Sequence, residues 1–149
     1  MGNIVVSIET TSTNDKSSFA TNTSFWTDLW DNYTSDFQEV VIHCWKEELA
    51  SIEELSARAI SVMDEGLMKV LTINLNEDNR LFLRSHSIDV NGGLKWFAMF
   101  FHVDGDEQLE ISHYGSEIIL YKVDEEEAKN FISIFSPSVI THYYDDYAD

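Results

Sequence analysis

Positive charge is what this 149-residue sequence has least of: nine Lys and Arg stand against 27 Asp and Glu, for a net charge of −18. A nucleic-acid backbone and an anionic membrane would both be repelled, so neither is expected as a partner. So few basic side chains also leave little to clamp a phosphate or stabilise an oxyanion. The only cysteine, Cys44, cannot form a disulfide within the chain, which suits a reducing compartment. Long apolar runs are missing as well. The longest, residues 96–101 (Trp-Phe-Ala-Met-Phe-Phe), is far short of the roughly 20 residues that span a bilayer. The first residues, Met1 to Val6, have no basic start and no small-residue cleavage pattern, and Val6 stands where myristoylation asks for Ser or Thr. The expected location is the cytoplasm.

Catalytic signatures are also wanting. The sequence has no Gly-rich phosphate loop, no nucleophile elbow and no paired-His zinc motif. A non-enzymatic role, with no cofactor, is the expectation. His86, His102 and His113 fall on three successive expected strands, but their spacings match no metal-ligand pattern. His43 and Cys44 are neighbours on an expected helix, about 100° apart, and so are not poised as a nucleophile pair. Cys44 reads instead as a small buried hydrophobe. Asp104-Gly105-Asp106-Glu107 resembles part of a calcium loop, yet lacks the distal bidentate Glu and reads as a hairpin turn.

What is present is a core. Hydrophobic residues make up 44% of the chain, with four Trp, nine Phe and six Tyr, which excludes wholesale disorder. Residues 3–10 are β-prone, and 11–24 form a polar loop. Ser24 is a candidate N-cap for a helical turn carrying Phe25, Trp26, Leu29 and Trp30. Ser35 and Gln38 form a capping-box pattern before a stripe of Phe37, Val40, Val41, Cys44, Trp45 and Leu49, which predicts a helix over 36–49. Ser51 and Glu54 repeat the signal for a second helix ending at Gly66.

From Gly66 the period changes from 3.6 to 2. Strands are predicted over 67–75, 81–90, 94–103, 108–114 and 117–123, with Asn91-Gly92-Gly93 and Asp104-Gly105 as hairpin turns. Asp124 with Glu127 then caps a last helix whose stripe is Ala128, Phe131, Ile132 and Phe135. The expected fold is a single α+β domain over 1–149. Its antiparallel meander has five to six strands, with helices on one face. Residues 138–149 read as an acidic-aromatic tail without a secondary-structure period.

The acids are unevenly placed. Residues 101–149 hold twelve against two lysines, −10 of the total, in a turn, a helix start and the tail. The bland explanations are a halophilic or simply acidic protein, a solvated helix face and a frayed terminus. The sharper one is an electrostatically steered binder of a basic protein, with aromatic anchors ringed by acids. The candidate partner-binding residues are Asp104, Asp106, Glu107, Glu110, Tyr143, Tyr144, Asp145, Asp146 and Tyr147.

In general character the chain resembles the immunity proteins that bacteria pair with polymorphic or contact-dependent growth-inhibition toxins: single acidic domains of this size, rich in Trp and Tyr. The resemblance implies a cognate toxin domain as partner, a nuclease foremost, because a nuclease carries positive potential to hold phosphates. Two alternatives stay open. One is a nucleic-acid mimic of the phage anti-restriction or anti-CRISPR type. The other is a small ligand-binding domain with a pocket around Trp96 and Phe97.

Overall fold

The computed structural model describes residues 1–12, 18–20, 22–90 and 92–145. Its centre is an eight-stranded, wholly antiparallel sheet. In chain order the strands are β1 (Gly2–Ser7), β4 (Glu39–Trp45), β5 (Ser61–Glu65), β6 (Met68–Asn74), β7 (Ala98–Val103), β8 (Asp106–Ser112), β9 (Glu117–Val123) and β10 (Ile140–Asp145). In space the order is β10-β1-β9-β8-β7-β4-β6-β5. A separate ribbon pairs β2 (Thr10–Ser12) with β3 (Ser18–Ala20). The helices are α1 (Trp26–Tyr33), α2 (Leu49–Ser56), α3 (Glu77–His86) and α4 (Glu125–Ile132).

The α+β class with helices on one face matches expectation, but eight strands exceed the expected five to six, and only β7-β8-β9 is a simple meander. Three segments account for the surplus. Residues 36–49, read as a helix, contain β4. The second expected helix is cut short: α2 begins at Leu49, so Ser51 lies inside it, and residues 61–65 are β5. Gly66 is not a helix cap; it turns the chain from β5 to β6 with φ of 60°. The tail is β10, paired with β1 from Ser7↔Ile140 to Gly2↔Asp145. In the other direction, residues 81–86 of the strand expected over 81–90 belong to α3, and beyond it Ile88 forms an isolated antiparallel bridge with Leu94. Ser24 does not cap α1 either; its N-cap is Phe25, with no side-chain hydrogen bond.

Pairing across the sheet divides the side chains cleanly. Ile4, Val6, Val40, Ile42, Cys44, Leu71, Ile73, Met99, Phe101, Leu109, Ile111 and Ile118 are buried on one face. The helices lie against that face as one layer. Trp30 meets Phe101 edge-on at 5.9 Å, Tyr33 meets Phe131, and Phe25 meets Phe135. Arg58 joins α2 to α3 by lying 4.0 Å over the Phe82 ring and bonding Asp78. Each large side chain so buried contributes about 1.5–3 kcal/mol. No described helix covers the opposite face, which carries Val5, Val41, His43, Trp45, Phe100, His102, Glu110, Ile119 and Tyr121.

Candidate functional site

Antiparallel pairing brings the end of β7, the start of β8, the end of β9, the start of β1 and the end of β10 to one end of the sheet. Three acid clusters far apart in sequence therefore converge there. The first is the β7–β8 turn. Asp104 and Gly105 hold it with φ of 51° and 82°, the two-residue hairpin geometry expected of Asp-Gly. Gln38 clamps this turn: its side chain accepts from the Asp104 backbone N–H at 3.0 Å and donates to Asp104 Oδ1 at 3.3 Å. Asp106 pairs with Lys122 at 3.3 Å across exposed side chains, a contact of small energetic weight.

The second cluster opens α4. Asp124 accepts from the Glu127 N–H at 2.8 Å, and the Glu127 side chain accepts from the Asp124 N–H at 3.1 Å, the expected capping box. Glu125 and Glu126 beside them are exposed. The third is Asp145, opposite Gly2, which on its other side opposes Val123. Burial raises the pKa of the Tyr143 hydroxyl most, and the charges of Asp145, Glu125 and Asp124 add to it, which places the last two clusters around one side chain. Among the described residues Lys122 is the only cation ion-paired to any of these acids.

At the open face the acids meet aromatics. Glu110 opposes Phe100 on β7 and accepts from the Tyr121 hydroxyl at 3.1 Å. Burial first, then Glu110, pushes the Tyr121 hydroxyl pKa up, so it remains a donor. Glu107 opposes His102. Its pKa lies above the usual carboxylate value, chiefly through burial and then through Glu110, with His102 acting in the opposite direction. His102 Nδ1 is buried without a hydrogen-bond partner. On the helix side of the same end, a depression of about 330 Å³ lies between α1, α4 and β9, with Asp36 and Glu127 in its lining.

The candidate residues of the tail divide between the two faces. Tyr143 points to the core side and donates to the Val123 carbonyl at 3.1 Å. Tyr144 points to the open face, 38% exposed and stacked on His142 at 5.7 Å. Asp146 and Tyr147 lie outside the described residues. Sequence reasoning missed Phe100 and Tyr121, and weighed His102 only as a metal ligand. Alternation along 117–123 was the available signal for Tyr121.

Other candidate chemistry is dispersed. His86 ends α3, His102 is on β7, and His113 sits in the β8–β9 turn with φ of 52°. Among the described residues no group of three or more His, Cys, Asp and Glu is placed to hold a metal ion. His43 and Cys44 lie on a strand and face opposite ways. Cys44 is fully buried, with a thiol pKa pushed up to about 12 by burial and then by Glu48. Trp96 is buried with its Nε1 donating to Ser87 Oγ at 2.9 Å, whereas Phe97 packs on Trp45 and Tyr114 at the open face. The two therefore do not line one pocket. No described helix is long and apolar enough to cross a membrane. Compared with models of protein families, with curated proteins and with solved structures, the chain matches none.

Proposed function

We propose that this chain is a non-catalytic inhibitor that binds a basic protein through the acidic end of its sheet. A toxin of the polymorphic or contact-dependent growth-inhibition kind, a nuclease foremost, is the target this reading names. The observation that carries it is the convergence of the β7–β8 turn, the α4 start and Asp145 at one end, with a single ion-paired lysine among the described residues there. Like charges gathered this way repel one another and cost stability, an expense that a basic partner would offset. Phe100, Tyr121 and Tyr144 beside the carboxylates supply aromatic contact area of the kind that anchors interfaces. Covering a nuclease's phosphate-binding surface would exclude its substrate without chemistry on this side. A nucleic-acid mimic asks for carboxylates strung out like backbone phosphates; acids gathered at one end of a sheet favour the protein-inhibitor reading.

The test is stopped-flow association with a basic nuclease toxin domain, taken from the neighbouring open reading frame where that encodes one. The association rate is expected to fall steeply with salt. Replacing exposed Asp106 and Asp145 by Lys together should lower it by about tenfold or more. Failure to bind, a salt-independent rate or an unaltered double variant would sink the proposal.

A further inference from the structure

The opposite edge of the sheet has a different character. β5 pairs with β6 on one side, and no described strand lies on its other side. Its surroundings are apolar and exposed: Ile60 by 61%, Val62 by 44%, Met63 by 57% and Leu67 by 75%. Four of the ten exposed large hydrophobic side chains among the described residues fall within these eight positions. The charge here is nearly balanced. Asp64 is bonded by Lys69 Nζ at 2.6 Å, and Lys46 adds a second positive charge beside it. Free strand edges are ordinarily blunted by charge, proline or a covering loop. At β5 the Asp64 charge is neutralised from within the sheet, and the apolar side chains are left in the open.

The backbone is ready for pairing as well. Gly66 and Leu67 form a two-residue turn between Glu65 and Met68. In such a hairpin the flanking residues bond to each other, so Ser61, Met63 and Glu65 spend their backbone groups on β6. Those of Val62 and Asp64 then point away from the sheet.

We propose that β5 pairs antiparallel with β5 of a second copy of this chain, with Met63 opposite Met63 on a two-fold axis, so that the two sheets become continuous. This register is self-complementary, as an isologous contact must be. Val62 of each copy opposes Asp64 of the other and they exchange their free N–H and C=O groups, while Ser61 opposes Glu65. No carboxylate faces a carboxylate, which would be destabilising. The net charge of −18 does not forbid the approach. The acids on β8 and β10 lie four or more strand spacings from β5, about 19 Å or more. That is over twice the Debye length of roughly 8 Å at physiological ionic strength.

Sedimentation velocity of the full chain over a concentration series tests this. The expected result is a species of twice the monomer mass that holds or strengthens as salt rises, opposite in sign to the basic-partner complex. Val62→Asp, at an exposed position, sets a carboxylate opposite Asp64 of the other copy, twice across the two-fold axis, and is expected to raise the dissociation constant roughly tenfold or more. Met63→Cys reads the register directly. Non-hydrogen-bonded pairs place Cα atoms about 4.5 Å apart, within disulfide reach, and Cys44 is too buried to compete. Mild oxidation should link Met63→Cys copies covalently but not Leu81→Cys copies, a control 65% exposed on α3. This arm stands even if Val62→Asp fails to fold. A single-chain mass at every concentration, a dimer indifferent to Val62→Asp, or equal cross-linking at both cysteines would overturn the proposal.

Discussion

Glu107 shows in one side chain what the acidic end costs. Burial disfavours its charge, the neighbouring Glu110 disfavours it further, and His102 offsets only part of this. Its folded pKa is therefore raised, and the folded state holds the proton more tightly than the unfolded chain. The stabilisation this gives is complete below the ordinary glutamate range and is lost as pH rises through the raised value. At pH 7 the charged form is a liability. Glu107→Gln should raise the melting temperature by about 1 °C at pH 7. The gain should vanish below pH ~4, where the carboxyl is protonated in both states. Paired melts of the two proteins across that range check it, and a gain that persists in acid would refute the assignment.

At the scale of elements, α3 depends on its first turn. The Asn76 side chain accepts from the Asn79 N–H at 2.8 Å, with Glu77 and Asp78 at the positive end of the helix and Arg84 and His86 at the other. Asn76→Ala should cost about 1 kcal/mol, read as a fall in melting temperature of roughly 2–4 °C. These signals are present in the sequence, but Asn76-Glu77-Asp78-Asn79 also satisfies turn chemistry, so the start of a helix is taken for a bend. The reverse confusion explains β4. Phe37, Val40, Val41, Cys44 and Trp45 fit a helical stripe, and Val40, Ile42 and Cys44 fit a strand equally well. Three consecutive β-branched residues, Val40-Val41-Ile42, carry the deciding weight, because they pack best on a pleated surface between two strands. The capping box of α4 and the Asp-Gly turn were legible because each rests on local chemistry alone. β10 was not, because its partner strand lies more than 130 residues earlier. The candidate site shared that limit: its acids were visible in the sequence, while their meeting point depends on sheet register.

For the whole molecule, charge is the dominant long-range influence. Among the described residues five ion pairs engage five acids, in a chain whose net charge is −18. Screening should therefore relieve more repulsion than it removes attraction. Raising salt from low to physiological ionic strength at pH 7 should increase the melting temperature by about 2 °C. A melting temperature that falls would mean that the ion pairs outweigh the crowding of like charges. Salt thus acts oppositely on two properties of one surface, steadying the fold while slowing capture of a basic partner.

The position of β1 between β9 and β10 also orders events in time. Gly2–Ser7 is made before the other seven strands of the sheet, yet its inner neighbour, Glu117–Val123, follows more than a hundred residues later. At ~5–20 residues per second that is a wait of roughly 6–20 s. Throughout it Ile4 and Val6 have no sheet to enter, so among these eight strands one of the first made is among the last seated.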